Sequence, residues 1–352
     1  MYIDDECGVR GVRWSSSVSL VAACILAGVA SMSSLACGSD DSEAAGGSSG
    51  SGGAGGTLNI GTGGSGNSSA AGAGNQGPYV LPQGFTETEF GGYKLGDPFN
   101  GDTPPSTGTG GSSSSGTCGS TILAVVRDLK GANDAGHPDF ETFNGNQPTK
   151  GMVPVDLGAD LKPGYTGICE AANAGNNTLC PYGQQSTTQA NFLQWYNYAA
   201  DVNRPYVIYL SFEPNGDKIT FQSDLFFPLD NTGWGNSGEG EDHQQHNFHF
   251  TTEVHTEFRY RGGEEFTFIG DDDVWVFINK KLADDVDLGG LHPQVTGTIR
   301  LDERQTELGI TAGNTYALDL FHAERHTNAS HFRVDTNLEF TNCGTIVPEN
   351  PR

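Results

Sequence analysis

Three adjacent aspartates, Asp271–Asp273, stand between two strongly apolar stretches, residues 266–269 and 274–278. Neighbouring carboxylates repel one another unless water screens them or a cation neutralises them. The apolar residues after the triplet occupy both alternating faces, so we expect a strand covered on both sides with the aspartates at its start. Grouped carboxylates on such a fixed loop are the hard ligands that Ca²⁺ prefers. The alternative is a turn in which aspartate side chains accept backbone hydrogen bonds.

A second polar group shares one face of a predicted strand. His249, Glu253 and His255 alternate with apolar residues over 246–260, as a strand requires. With neighbouring histidines they form a candidate transition-metal site, although same-face spacings along one strand are poorly placed for tetrahedral closure. A solvated polar face is the favoured interpretation.

The charge of the chain limits its partners. Its 352 residues carry 18 Lys+Arg against 43 Asp+Glu, which gives a formal net charge of -25. Nucleic-acid binding needs basic patches that contact phosphates, so this balance argues against nucleic acid as a partner. An acidic surface suits cations or neutral ligands such as sugars, or serves only to keep the protein soluble.

The first third of the chain predicts an export signal and a tether. Arg10 and Arg13 precede the apolar run 18–30, which is typical of a signal peptide and short for a membrane span. Cys37 follows a small residue, as in a bacterial lipobox, and predicts a lipid-anchored protein of the outer membrane or cell surface; an ordinary secretory signal is the alternative. The predicted boundaries are a signal peptide over 1–36, a disordered Gly/Ser-rich linker over 37–117, a β domain over 118–345 and a tail over 346–352.

Four cysteines fall in the predicted β domain, which for an exported protein indicates two disulfides. Three pairings are possible. We favour Cys169–Cys180, which closes a short loop, and Cys118–Cys343, which ties the two ends of the domain together.

The periodicity of residues 118–345 predicts an all-β fold. About nine stretches alternate or are continuously apolar, with turn residues between them, which favours a β-sandwich or barrel. One amphipathic helix is expected over 189–202. The predicted strands lie within 121–129, 206–212, 218–229, 246–260, 265–270, 274–279, 297–301, 315–324 and 331–340.

Several blocks of this region share a wider pattern: "RDLKGANDAGHPDFE", "FFPLD", "GDDDVWVFINKK" and "YALDLFHAERHTNASHFRVDT". Together they closely resemble the fibro-slime domain, which is grouped with the PA14-type β-barrel domains. The resemblance extends over roughly residues 119–340. It implies a PA14-like β-sandwich or barrel with one or two short helices, preceded by the tether.

The resemblance also implies Ca²⁺-assisted binding of an extracellular glycan or polysaccharide. PA14-type lectins such as the yeast flocculins hold Ca²⁺ with two consecutive aspartates, and the ion then binds sugar hydroxyls. Asp271 and Asp272 match that pair, and Asn328 in the loop 322–330 is the counterpart of a further metal ligand. Asp273, which replaces a usual glycine, is also a candidate metal ligand. The candidate ligand-binding residues are Asp271, Asp272, Asp287, His292, Glu324 and Trp234, and an aromatic rim is expected from Trp234 or Trp195.

We expect a binding and adhesion module rather than an enzyme. A glycosidase needs two carboxyl groups that flank the scissile bond, and three vicinal aspartates on one short loop cannot do so. The main alternative is a structural matrix or adhesion protein in which the acidic loop holds Ca²⁺ only for rigidity, or holds no metal.

Overall fold

The computed structural model describes residues 121–173, 178, 180–345 and 347, and the backbone of residues 85–87 and 94–96. The predicted signal peptide, Cys37 and Cys118 lie outside these residues. The helices are α1 (Gln189–Phe192), α2 (Leu301–Leu308) and a 3-10 turn, Ala132–Asp134. The strands are β1 (Phe85–Glu87), β2 (Lys94–Gly96), β3 (Thr121–Leu129), β4 (Asn203–Ser211), β5 (Glu213–Asn215), β6 (Lys218–Ser223), β7 (Gly238–Glu239), β8 (Gln245–His246), β9 (Phe250–Arg259), β10 (Glu265–Gly270), β11 (Asp273–Ile278), β12 (Lys281–Leu288), β13 (Val295–Arg300), β14 (Thr315–Glu324), β15 (Phe332–Thr336) and β16 (Glu339–Asn342).

The strands form two main antiparallel sheets. The large sheet has the order β1-β2-β4-β3-β9-β14-β11-β12, with β16 paired to one end of β9. The small sheet has the order β13-β10-β15-β6-β5, and β7 and β8 form a separate hairpin. This confirms the predicted all-β sandwich with two short helices.

The large sheet packs against a hydrophobic core on each of its faces. One core contains Val274, Val276 and Ile278 of β11 together with Phe268 and Phe332 of the small sheet, so it fills the space between the two sheets. A second core lies on the opposite face, where Trp275 and Phe277 of β11 pack with Trp195, Phe192 and Met152. The irregular segment 130–200 supplies that outer layer, and β11 is therefore covered on both sides, as predicted.

One predicted disulfide is present in the outer layer. Cys169 and Cys180 are joined across a sequence separation of 11, with their Cα atoms 5.3 Å apart. Cys343 is also disulfide-bonded. Because Cys118 lies outside the described residues, its pairing with Cys343 stays a prediction.

The polar face of β9 is buried, so the prediction of a solvated face is wrong. The outer layer covers it, and Glu253 lies fully inside the protein with its Oε2 2.7 Å from Nη1 of Arg127. Lys162 and His255 both contact Oε1 of the same carboxylate. Nδ1 of His255 lies 2.6 Å from Oδ1 of Asp319. Buried charges of opposite sign thus satisfy one another here.

Two further expectations differ from the fold. The strand β12 was not predicted, because its sequence "KLADDVDL" is rich in aspartate, which is depleted in strands. Of the helix expected over 189–202, only the four residues of α1 are helical. Trp195 and Tyr196 follow the end of α1 and are buried in the core. Among the described residues, no helix is long and apolar enough to cross a membrane.

Three connections pass from one sheet to the other at the same end of the sandwich. Residues 271–272 join β10 to β11, residues 289–294 join β12 to β13, and residues 325–331 join β14 to β15. The pairing of Gly270 with Phe332 places the ends of β10 and β15 side by side, which brings the first and third connections into contact. The aspartate pair is therefore a sheet-to-sheet crossing.

Candidate functional site

A cleft of about 540 Å³ opens at this end of the sandwich, and all three crossings line it. Residues 144–146 of the outer layer and Glu241 of the β7–β8 hairpin form the rest of its wall. Strand ends hold the crossings on two sheets that share one core, so the floor of the cleft is fixed by the scaffold. Loops held in this way commonly carry binding functions.

The wall of the cleft is rich in hydrogen-bonding side chains. Carboxamides come from the outer layer and from two of the three crossings, and imidazoles come from the same two crossings. Such groups both donate and accept hydrogen bonds, as ligands with many hydroxyl groups require. The carboxamides are Asn144, Asn146, Gln294 and Asn328, and the imidazoles are His292, His326 and His331.

Asp271 makes a two-point contact with His331 on the neighbouring crossing. The backbone N–H of His331 donates to Oδ1 of Asp271 at 2.7 Å, and Nδ1 of His331 lies 2.7 Å from Oδ2. The hydrogen bond to Asp271 is the largest cause of the raised pKa of His331. The contact fixes the orientation of the Asp271 carboxylate at the floor of the cleft.

Asp272 has a left-handed backbone with φ of 50°, a conformation that aspartate tolerates better than most residues. Its Oδ2 accepts hydrogen bonds from the backbone N–H groups of Arg325 and His326, at 2.9 and 3.1 Å. Burial, opposed by Arg325 and reinforced by the charges of Asp273 and Asp271, raises the pKa of Asp272 to about 8.

Asp273, the first residue of β11, forms a fully buried ion pair with Arg325. Nε of Arg325 lies 2.6 Å from Oδ2 of Asp273, and the backbone N–H of Gly290 donates to Oδ1 at 2.6 Å. Nη1 of Arg325 donates to the carbonyl oxygens of Asp139 and Gln185, each at 2.9 Å. Asp273 therefore ties the crossings to the outer layer, and it does not line the cleft.

Glu324, the last residue of β14, is a buried acid without a hydrogen-bond partner among the described residues. Both of its carboxyl oxygens are enclosed and unbonded. Burial, reinforced by the charges of Asp272 and Asp271, raises the pKa of Glu324 well above its usual range. The nearby Ser330 hydroxyl opposes this shift less strongly, and it donates its hydrogen bond to Phe226 instead. A buried carboxyl group without a hydrogen-bond partner costs free energy of folding, so Glu324 lowers the stability of the folded protein.

The structure brings together most of the residues predicted to bind metal or ligand. Asp271, Asp272, Asn328 and His292 line the cleft, and Glu324 lies within electrostatic range of the two aspartates. Among the described residues, however, no group of three or more His, Cys, Asp or Glu side chains is already arranged to hold a metal ion.

Two predicted ligand residues lie elsewhere. Asp287 lines a different cleft, where its Oδ2 accepts a hydrogen bond from Gly151 and burial raises its pKa to about 6. Trp234 is covered by cationic side chains, since Arg204 lies 3.4 Å and Lys130 lies 4.3 Å from its ring centroid. Trp195, the alternative rim residue, is fully buried in the outer core.

Several residues of the site were missed in the sequence. Arg325 is the most important of them, and a signal for it existed: three adjacent acids before a buried strand require a buried cation nearby. His326, His331 and Glu241 carried no such signal. They reach the cleft because the third crossing and the β7–β8 hairpin fold against the aspartate pair.

The family model described as the PA14 domain matches residues 218–350, which is less than half of the chain. The matched range contains all three sheet crossings. It does not contain β3, β4 or the outer layer.

The chain is similar to curated proteins of Dictyostelium discoideum. It is 40% identical to protein psiD over 58% of this chain and 38% of that protein, and 36% identical to protein psiC over 65% of this chain and 44% of that protein. It is 44% identical to protein psiH over 58% of this chain and 29% of that protein. The chain thus spans less than half the length of these relatives.

Two solved structures show weak likeness to the chain. One is a PA14 sugar-binding domain from an RTX adhesin, with 7% identity and a TM-score of 0.20 over 39% of this chain and 81% of that chain. The other is the A domain of epithelial adhesin 6 from Candida glabrata in complex with Galb1-3GlcNAc, with 9% identity and a TM-score of 0.23 over 66% of this chain and 90% of that chain. At these TM-scores neither likeness carries an argument about the ligand of this chain.

Proposed function

We propose that this chain is an extracellular binding and adhesion module that holds a carbohydrate in the cleft with the help of Ca²⁺. The observation that carries the proposal is Glu324, a buried carboxyl group with two unbonded oxygens within electrostatic range of Asp271 and Asp272, which line the cleft. A hard divalent cation is the natural partner of such oxygens.

The donor set fits Ca²⁺ in chemistry. Asp271, Asp272 and Glu324 supply carboxylate oxygens, and Asn328 adds an amide oxygen from the third crossing. When bound, the ion would supply positive charge and open positions for ligand hydroxyl groups. Because these side chains do not already surround one point, the acids must adjust to hold it. Asp273 is not part of this set, since it is fully buried in its ion pair with Arg325 and does not line the cleft.

The wall of the cleft supports a polyhydroxylated ligand. Asn144, Asn146 and Gln294 line the same cleft as the aspartate crossing, and they offer paired donors and acceptors. Asp271 and Asp272 are consecutive in the chain and belong to one crossing, so they do not flank a ligand bond from two sides. We therefore propose binding without catalysis.

The proposed location is outside the cell. The disulfide Cys169–Cys180 supports it, because such bonds persist in oxidising compartments. A lipid anchor at Cys37 and membership of the fibro-slime group remain part of the proposal.

Thermal melting of the whole protein in Ca²⁺ or EDTA tests the metal. Ca²⁺ at about ten times its Kd should stabilise the fold by about 1.4 kcal/mol, which corresponds to about 3–6 °C in Tm for a domain of this size. The double variant Asp271→Asn/Asp272→Asn should lose this response, and the exposed control Asp284→Asn should keep it.

A panel of immobilised saccharides, probed with Ca²⁺ and with EDTA, then tests the ligand. Ca²⁺-dependent binding that the double variant lacks would support the proposal. A melting shift without binding of any saccharide would instead support a structural ion in a matrix or adhesion protein. No shift and no binding would overturn the proposal.

A further inference from the structure

The face of β9 that the outer layer covers holds a lysine and a carboxylate that the proposed function does not use. Nζ of Lys162 contacts Oε1 of Glu253, and the two side chains are only 2% and 1% exposed. The two residues lie 91 positions apart in the chain. Lys162 belongs to the outer layer, whereas Glu253 belongs to β9 in the interior of the large sheet. A covalent bond between them would therefore fasten the outer layer to the sheet.

Further polar groups contact both oxygens of this carboxylate. Nη1 of Arg127 lies 2.7 Å from Oε2 of Glu253, and Nε2 of His255 contacts Oε1. Nδ1 of His255 lies 2.6 Å from Oδ1 of Asp319, which fixes the orientation of the ring. Arg127 is thus placed to stabilise negative charge on Oε2, and His255 is placed to exchange protons at Oε1.

Enclosure makes the two charges of the pair costly. Burial raises the pKa of Glu253, but the charges of Lys162 and Arg127 outweigh burial and hold the pKa well below its usual range. The resting pair is therefore an ammonium group that faces a carboxylate, and both ions have lost contact with bulk water. An amide would replace the two charges by one neutral group, and the exclusion of water would protect that amide from hydrolysis.

We propose that Lys162 and Glu253 condense to an intramolecular amide once the protein has folded, and that His255 is the catalytic residue of this step. Nζ of Lys162 forms a bond to Cδ of Glu253, and the bond between Cδ and Oε1 breaks. The ammonium group gives up two protons, His255 relays them to Oε1, and this oxygen leaves as water. Arg127 stabilises the negative charge on Oε2 in the tetrahedral intermediate. The step balances without a co-reactant, because one ammonium group and one carboxylate become one amide and one water molecule.

The pair Lys218–Glu265 provides a comparison within the same chain. Nζ of Lys218 lies 2.9 Å from Oε2 of Glu265, but the two side chains are 28% and 31% exposed. The second partner of Glu265 is Arg300, which cannot relay protons as a histidine does. Water reaches this pair and stabilises both charges, so we expect it to stay an ion pair.

Mass spectrometry of the purified whole protein tests the amide directly. After reduction of the disulfides, a protease that cuts on the amino side of aspartate releases fragment 160–200, which contains Lys162, and fragment 242–270, which contains Glu253. In wild type these two fragments should appear joined, with a mass one water molecule below their sum. Fragmentation of the joined species should place the bond on Lys162 and Glu253. Fragment 217–223, which contains Lys218, should be released alone.

Two variants test the roles of the residues. Lys162→Arg keeps a cation but lacks the amine, so it should release fragments 160–200 and 242–270 separately. His255→Gln keeps a hydrogen-bonding side chain but cannot relay protons, so the joined species should form about a hundredfold more slowly in newly synthesised protein. The matched control is His243→Gln, which changes an exposed histidine and should form the joined species at the wild-type rate.

The wild-type masses decide the proposal without any variant. Separate fragments 160–200 and 242–270 of full mass would overturn it and leave Lys162 and Glu253 as a buried ion pair. A joined species whose bond lies on another acid of fragment 242–270, such as Glu257, would overturn it as well. Equal rates in His255→Gln and wild type would overturn the catalytic role of His255. None of these outcomes depends on Ca²⁺ or on a saccharide, so they are independent of the proposed function.

Discussion

Nε of Arg325 lies 2.6 Å from Oδ2 of Asp273, and both side chains are completely buried at the point where two sheet crossings meet. Asp273 follows the aspartate pair of the first crossing, and Arg325 begins the third. The same guanidinium group reaches the outer layer through Asp139 and Gln185. One ion pair thus holds together the elements that shape the cleft.

Removal of one partner of this pair should be strongly destabilising. The variant Arg325→Ala leaves Asp273 buried without its cation, which typically costs about 3–5 kcal/mol of the free energy of unfolding. The exposed pair Lys281–Asp156 is the matched control, and Lys281→Ala should cost no more than about 1 kcal/mol. Urea denaturation of both variants measures the difference. Equal losses would show that Arg325 is not a structural centre of the site.

Replacement of Glu324 should have the opposite effect at neutral pH. Because the pKa of Glu324 is raised in the folded protein, the group opposes folding more strongly as pH rises above the usual carboxyl range. The isosteric Glu324→Gln should therefore raise Tm at neutral pH in EDTA and have little effect at about pH 4.

In Ca²⁺ the same variant should lose part of the stabilisation that the ion gives wild type. Melting in EDTA and in Ca²⁺ at both pH values checks the two effects. A variant that is less stable than wild type in EDTA at neutral pH would contradict the view that the buried carboxyl group of Glu324 destabilises the fold.

Glu141 should contribute to the loss of stability of the protein at low pH. Burial raises its pKa, but hydrogen bonds from His249 and Thr327 outweigh burial and hold the pKa at about 2, below the ordinary 4.5. The folded carboxylate therefore stabilises the protein above pH 4.5, and this contribution is lost as pH falls from 4.5 towards 2.

The variant Glu141→Gln should accordingly be less stable than wild type at neutral pH and nearly equal to it at low pH. Denaturant midpoints at several pH values measure this convergence. Glu213→Gln, which changes an exposed acid of β5, is the control and should run parallel to wild type. A constant difference between Glu141→Gln and wild type would exclude the pH-linked role.

The two tryptophans considered for the rim of the cleft should behave differently. Trp195→Ala removes a fully buried indole that donates to Asp139 at 3.1 Å, so it should cost about 3–5 kcal/mol. Trp234→Ala removes a ring that packs against Arg204 and Lys130 away from the cleft. It should leave the affinity for any saccharide of the panel unchanged, as measured by calorimetry. A loss of affinity in a folded Trp234→Ala protein would return this residue to the site.

Local periodicity was sufficient for most strands. The stretches 121–129, 265–270 and 315–324 are strands with the predicted bounds, because their alternating or continuous apolar pattern matches a sheet buried on one or both faces. The strand β12 was not predicted because its sequence is rich in aspartate, which has a low preference for strands. Its conformation is decided by its pairing with β11. The disulfide Cys169–Cys180 followed from its short spacing.

The sequence by itself determined that the chain has an all-β domain and that Asp271 and Asp272 stand at a strand junction. Only the tertiary structure decided what each acid does. Asp273 forms a buried ion pair with Arg325, fifty-two residues away in the chain. The carboxyl oxygens of Glu324 have no hydrogen-bond partner among the described residues. The physical reason is that the pKa and the role of a carboxylate depend on the groups that surround it. Those partners come from crossings on different strands, and sequence neighbours do not reveal them.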